Sequence, residues 1–426
     1  SFFSLGGDSL LGTRLIAELR KDGKMATLAD LFEAPVLCDF CQRLSAEEQK
    51  NEWIIDANDT NKYAPFPLTS VQKAYLVGRD ESLDLGGIDC TFYREYKTEN
   101  LDEKRLERVI HQIIARHPML RAQITEGSQC ILKNVPNFLI EHYDTPDSMF
   151  ESMARKSFNP SSWPLFALGI APDLGKTRLG IVFDSIVMDA TSVLLFLQEL
   201  EDGYSGRTAL KKSPSLTFRD YVLHAVSVEQ DSSKSNVRFS EKEPLPPAPE
   251  LPLAVDPSTI RHPRFCRLAT EVDRNLEELS SICSRNHVTV PALLFACYSE
   301  TLRRFSGTDA LTVTVTTFDR RPIHPDVDKV IGDFTTLMRI AYCSDGTEVW
   351  SDRVRSATRK LAEGLDDRLG LTVADAEEPR ASSHGYPVVF TAALGVEDKF
   401  AEHGRVFGQY VRGLSQTPTK LELPSI

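Results

Sequence analysis

Two short stretches place polar side chains where a helix is about to begin. The chain opens SFFSLGGDSLLGTRLIAELRKDG, in which Ser9 follows two glycines and an acid at the start of an amphipathic run. Asp8 or Ser9 alone explains that start as an ordinary helix cap. A cap does not account for Phe2, Phe3 and Leu5, which read as an apolar anchor, or for Gly6 and Gly7, a bare turn that holds Ser9 outward. A hydroxyl so placed is presented for modification, and the free N–H groups and positive dipole end of a helix start favour a phosphodiester there. The second stretch is DSIVMDATS, where Asp184 interrupts an apolar strand and Asp189 and Ser192 sit where that strand turns into a helix. A buried carboxylate needs partners or is protonated. Two readings stand for these acids. They brace the turn, with Asp189 capping the helix and Asp184 accepting hydrogen bonds from an arginine or backbone groups, or they act in a reaction.

The elements that position these residues follow from periodicity. Leu10, Leu11, Leu15, Ile16 and Leu19 recur at helical spacing, with Arg14 and Glu18 turned to solvent. TLADLFEAPVLCDFCQRL reads as a short helix, a loop at Pro35 and a further helix. The stretch from Ser45 to Tyr63 is polar without a sustained apolar period, as a linker is. Beyond it, PFPLTSVQKAYLVGR gives a proline-bounded entry to a helix, and LERVIHQIIARHPMLRAQI an amphipathic helix stopped by Pro118 and then a strand. RLGIVFDSIVMDATSVLLFLQEL reads as a buried strand, a loop and a helix. QDSSKSNVRFSEKEPLPPAPE, polar and then proline-rich, reads as a hinge between two halves. The second half resembles the first in its alternation, with a helix in VPALLFACYSETLRRFSG, a strand in LTVTVTTFDRR, a charged helix before Leu361 and a strand in YPVVFTAAL. Alternating strands and helices in two similar halves predict an α/β architecture of two lobes with a cleft between them.

Composition narrows the function classes. A chain of 426 residues exceeds one ordinary domain, and 41% hydrophobic with 26% charged residues is the balance of a globular protein. A net charge of -12 and no basic patch argue against nucleic acid, whose binding rests on Lys and Arg neutralising phosphates. The N-terminus has no signal pattern, and runs such as SVLLFL and VPALLFACY are too short to span a bilayer, so the chain reads as cytoplasmic. Cys38 and Cys41 alone among eight cysteines are close, and without a second pair of ligands they read as two thiols on a short helix rather than a metal site.

FFSLGGDSL resembles the phosphopantetheine attachment motif of carrier proteins in nonribosomal peptide synthetases, which makes Ser9 the attachment residue for 4'-phosphopantetheine. The spacing D-x-x-x-x-D-x-x-S at Asp184, Asp189 and Ser192 resembles the signature of heterocyclization domains of the condensation-domain superfamily. FPLTSVQKAYLVGR, RHPMLR, LPPAPELPL, VPALLFACYSETL, RRPIHPDVDKVIGDFTT, YPVVFTAALG and LSQTP look like further motifs of that family in its order, from Phe66 to Pro418. An ordinary condensation domain would carry H-H-x-x-x-D-G at the same turn, and this chain has no His-His pair. The resemblance implies a partial helical carrier domain over 1–44, a linker over 45–62, and two chloramphenicol-acetyltransferase-like lobes over 63–240 and 241–426. It implies partners in upstream and downstream carrier domains and adenylation domains of one assembly line, with no nucleic acid, membrane or metal.

The implied reaction joins a carrier-bound acyl thioester to a carrier-bound cysteine, serine or threonine and then cyclodehydrates the product to a thiazoline or oxazoline. For the second step the resemblance points to Thr391, in VVFTAAL, as a hydrogen-bonding group. The family places an aspartate shortly after its S-Q-T-P motif, whereas here SQTPTKLELPSI carries Glu422 near that place. A first carrier helix is expected before Ser1 and the last helices of the second lobe after Ile426. Three readings remain at this level: condensation with cyclisation, amide formation only, and a module that only docks carriers.

Overall fold

A computed structural model describes residues 1–5, 7, 9–22, 24–46, 61–99, 101–125, 127–206, 212–234, 244–261, 263, 268, 275–318, 320–321, 323–366, 385–392, 394 and 409–416. The first unit is built on the helix Ser9–Lys21, followed by the short helices Leu28–Glu33 and Leu37–Arg43. Thr27 and Asp30 form a reciprocal cap at the second of these. Its small core is Phe3, Ile16, Leu28, Leu31, Phe32 and Phe40. Gly12 lets the helices meet, because a Cβ there would lie 2.5 Å from a methyl of Leu28. The first two linker residues are not free chain: Ser45–Ala46 pairs antiparallel with Lys24–Met25. Two expectations from the sequence are corrected by the fold. Leu5 is 89% exposed, at the end of a tight turn, and takes no part in the apolar anchor. Leu11 and Leu15, four residues apart on one stripe, also face outward, while Ile16 of that helix lies in the core and Leu19 packs against it.

The first lobe is a five-stranded sheet in the order 409–416, 91–98, 176–184, 166–173, 141–142. Its helix Glu103–Arg116 buries Leu106, Val109, Ile110, Ile113 and Ile114, the i, i+3, i+4 stripe read from the sequence, and ends at His117 before Pro118. The helix Ala190–Ser205 packs beside it. The second lobe has the strands Thr335–Cys343, Ala310–Phe318 and Val389–Thr391, in that order, with the helices Leu276–Arg285, Val290–Ser306 and Trp350–Asp366.

Chain order and lobe membership do not coincide. The strand Gln409–Gln416 completes the first lobe's sheet beside Thr91–Thr98. Ile323, Val327, Val330, Ile331 and Phe334 join the first lobe's core, with Phe334 edge-on to both Phe218 and Tyr221. The expected hinge is also differently made. The helix Phe218–Lys234 takes in only its first five residues, 230–234, and in the proline-rich part the carbonyls of Pro246 and Pro247 accept hydrogen bonds from Thr312 in the second lobe's central strand. The charged helix extends past Leu361 to Asp366.

Candidate active site

The strand Lys176–Asp184 is apolar along Leu179, Ile181, Val182 and Phe183, and it ends on a carboxylate that is fully buried. Asp184 accepts from Arg79 Nη2 at 2.5 Å and from the Ile186 amide at 3.1 Å. Arg79 in turn donates to the Phe158 carbonyl at 2.8 Å and lies 3.5 Å from Asp89. Burial outweighs the guanidinium and pushes the Asp184 pKa up to about 6. The following turn, Ser185–Val187, is held from below by Gln72 Nε2, which donates to the Ile186 carbonyl at 2.7 Å.

Asp189 caps the helix Ala190–Ser205, accepting from the Ser192 amide at 2.6 Å. Arg320 reaches it from the later half of the chain, with Nη2 at 2.9 and 3.2 Å from the two carboxylate oxygens and 2.7 Å from Ser192 Oγ. The same guanidinium donates through Nη1 to the Val327 and Val330 carbonyls and lies over the Phe334 ring, 4.1 Å from its centroid. Ser192 Oγ donates to the Gly332 carbonyl at 2.8 Å and accepts from its amide at 3.1 Å. Gly332 meets the Phe218 ring so closely that a Cβ would sit 2.3 Å from it. The Ser192 hydroxyl is therefore saturated, and Asp189 is enclosed by donors. Asp189, Ser192, Arg320 and Gly332 thus make a joint that binds the strand-to-helix turn to a segment from the later half of the chain.

Next to them lies Asp333, fully buried. One oxygen accepts from the Thr335 amide at 3.2 Å and the other has no hydrogen-bond partner among the described residues. Burial, with the charge of Asp189 nearby, pushes its pKa well above the usual carboxylate range. Arg79, Gln72, Arg320, Gly332 and Asp333 were not singled out from sequence. All lie within the quoted segments FPLTSVQKAYLVGR and RRPIHPDVDKVIGDFTT; for Gln72 and Asp333 the available signal is a polar residue set close to apolar ones, and for Arg320 and Gly332 the local sequence carries none.

Thr391 stands apart from this joint. In Val388, Val389, Phe390, Thr391 the inward residues are Val388, which is buried, and Phe390, which packs edge-on to Phe295 at 5.5 Å and beside Tyr298. Thr391 is exposed, opposite Thr316 in the parallel pairing with Ala310–Phe318, and no hydrogen bond among the described residues links it to Asp184, Asp189 or Ser192. Glu422 lies outside the described residues. Ser9 is the first residue of its 13-residue helix, the end at which the helix dipole favours an anion. Cys38 and Cys41 are both exposed on Leu37–Arg43. His117 is buried with Nε2 2.7 Å from Glu199, in a brace of its own with Arg116.

The condensation domain family profile matches residues 67–383, and that of the phosphopantetheine attachment site matches residues 1–44. The chain is 30% identical over 437 residues to pyochelin synthetase PchE of Pseudomonas aeruginosa, covering 97% of this chain and 30% of that protein. It is 30% identical to phenyloxazoline synthase MbtB of Mycobacterium sp., covering 98% of this chain and 37% of that protein, and 32% identical to bacitracin synthase 1 of Bacillus licheniformis, covering 79% and 7%. The chain thus spans well under half the length of these relatives. Among solved structures, the cyclization-docking bidomain of EpoB from Sorangium cellulosum superposes with a TM-score of 0.72 at 26% identity, over 97% of this chain and 83% of that one. The nonribosomal peptide synthetase FmoA3 superposes with a TM-score of 0.64 at 25% identity, over 85% and 40%.

Proposed function

Since the chain belongs to the condensation-domain family over residues 67–383 and carries a phosphopantetheine attachment site over residues 1–44, we propose that it is a heterocyclizing module of a nonribosomal peptide synthetase. The observation that carries the reading is the turn at Asp184, Asp189 and Ser192. Where a base would otherwise stand, this turn holds carboxylates and a hydroxyl already spent on Arg79, Arg320 and Gly332. A site without a histidine base there suits substrates that bring their own nucleophiles.

In the first step the amine of a carrier-bound cysteine, serine or threonine attacks the acyl thioester; the C–N bond forms, the C–S bond breaks, and the thiol of the upstream arm leaves with the proton. In the second, the side-chain sulfur or oxygen attacks the new amide carbon. The carbonyl oxygen departs as water with one proton from the attacking thiol or hydroxyl and one from nitrogen, and a C=N bond remains. Proximity supplies much of the first barrier, whereas the second needs protons moved onto a poor leaving group. The protein's part is to position and to exclude water. The phosphopantetheine on Ser9 supplies the thiol that carries the acyl group. Asp184, Asp189 and Ser192 hold the floor of the site, and Thr391, exposed on a strand anchored by Phe390, assists loss of water. The module works beside adenylation domains and a downstream carrier in the cytoplasm; among the described residues no helix is long and apolar enough to cross a membrane.

The test is Thr391→Ala in the natural assembly, read by mass spectrometry of the downstream carrier, where the ring product is lighter than the amide by one water. The linear amide is expected to accumulate while the ring product falls. Amide and ring falling together, or the ring unaffected, removes Thr391 from cyclodehydration, and amide without ring in the wild type would establish amide formation only.

A further inference from the structure

The unit carrying Ser9 is seated on the second lobe, and the seat is specific. Thr27 caps Asp30 and its carbonyl takes the Leu31 amide, so the first turn of Leu28–Glu33 has two amides left over, those of Leu28 and Ala29. Asp366, the last residue of Trp350–Asp366, takes both, at 2.8 Å through one carboxylate oxygen and 3.0 Å through the other. Ala362 of the same helix is fully buried in the small core of the Ser9 unit, and Leu365 packs against it. Phe3 lies 6.4 Å from the His287 ring, which adds a third contact from another element of the lobe. A fourth comes from Arg14, five residues after Ser9 and so about 7.5 Å along the helix axis, whose Nη2 is 2.7 Å from Asp328.

Asp328 ties this seat to the joint between the lobes. It lies in the turn Val327–Lys329, and the carbonyls of Val327 and Val330 are the ones Arg320 holds while it holds Asp189 and Ser192. We propose that Asp366 and Asp328 are docking residues by which the catalytic unit holds its own upstream carrier, fixing the direction from which Ser9 presents its thioester to the site. The proposal rests on the reading of residues 1–44 as a working carrier. It adds the face it docks on, the helix Trp350–Asp366 with the turn Val327–Lys329, and the chemistry of recognition: backbone amides and a basic residue of the carrier meeting two aspartates.

Hydrogen–deuterium exchange on the intact chain tests it, because amides that lose an acceptor exchange faster whether or not any thioester is made. Asp366→Ala is expected to speed exchange in the segment 24–34 by about tenfold, and Asp366→Asn, which keeps an acceptor without the charge, by less. Peptides across the strands 310–318 and 335–343 should be unchanged in both, which controls for folding of the catalytic unit. Asp328→Arg should speed exchange in 9–21 roughly two- to fivefold, as suits an exposed pair, and the double reversal Arg14→Asp with Asp328→Arg should restore protection. Unaltered exchange in 24–34 for Asp366→Ala, or no recovery in the double reversal, overturns the docking face. Amide formation on the loaded chain is measured in parallel. If it is absent while exchange behaves as expected, the carrier reading fails and the seat stands.

Discussion

Asp184 is pulled two ways, and the balance can be read by titration. Burial raises its pKa to about 6, while the Arg79 guanidinium at 2.5 Å opposes that rise without cancelling it. An acid whose folded pKa lies above its unfolded value contributes stability that is complete below about pH 4 and is lost as pH rises through 6. Asp184→Asn has no such loss, but it takes the charged partner from Arg79. At pH 7 it is expected to be less stable than the wild type by roughly 1.5–3 kcal/mol, the range for a buried charge-assisted hydrogen bond. That deficit should be larger near pH 4, since the wild type there has not yet lost its share. Chemical denaturation of both proteins across this range checks it, and a deficit that grows towards pH 7 would mean that Arg79 outweighs burial. Unchanged stability with abolished turnover would make Asp184 a participant in the reaction. Such acids were legible in the sequence because a charge inside VFDSIV has nowhere polar to go. Arg320, 131 residues from Asp189, was not, since nothing local says which of many arginines will cross the fold.

Between the residue and the molecule stands the joint in which Arg320 and Gly332 bind a strand-to-helix turn to a segment from the other half of the chain. One guanidinium holds Asp189, Ser192 and two carbonyls in fixed directions, which a lysine's single ammonium does not reproduce. Gly332 matters for space, because any side chain there meets the Phe218 ring. Arg320→Lys and Gly332→Ala are each expected to cost about 1–3 kcal/mol. Because both loosen one contact, the double variant should cost less than their sum, by roughly 0.5 kcal/mol or more. Additive costs in a double-mutant cycle would mean two independent sites rather than one joint. At this scale sequence patterning works where an element answers to a single apolar face, as in Glu103–Arg116. It fails where polarity misleads. The segment Gln230–Lys234 has the polarity of a hinge and is the end of a helix, and Thr91–Thr98 buries Arg94 and Glu95 among its aromatics, which hides the alternation of a strand.

For the molecule as a whole, the sequence conveyed two α/β halves but not that they exchange pieces. A division near residue 240 follows composition, whereas the first lobe's sheet takes its outermost strand, Gln409–Gln416, from the far end of the chain and its core takes Ile323 to Phe334 from the middle of the second half. Pairings between segments some 320 residues apart leave no periodic trace, so only the fold reveals them. The consequence is mechanical: the lobes are linked by backbone as well as by side chains, and the sheet's edge depends on a strand some 320 residues further along the chain. Removing residues 409–426 would leave Thr91–Thr98 with an open row of N–H and C=O groups on one side, the template for pairing with another chain. The shortened protein is therefore expected to lose thermal stability and to elute in part as dimers or larger species, while a version cut after residue 416 stays monodisperse with the wild-type melting profile. Size-exclusion chromatography with light scattering separates these cases. If both cuts behave as the full chain does, the strand is a passenger on the sheet and the lobes are joined only at Arg320 and its neighbours.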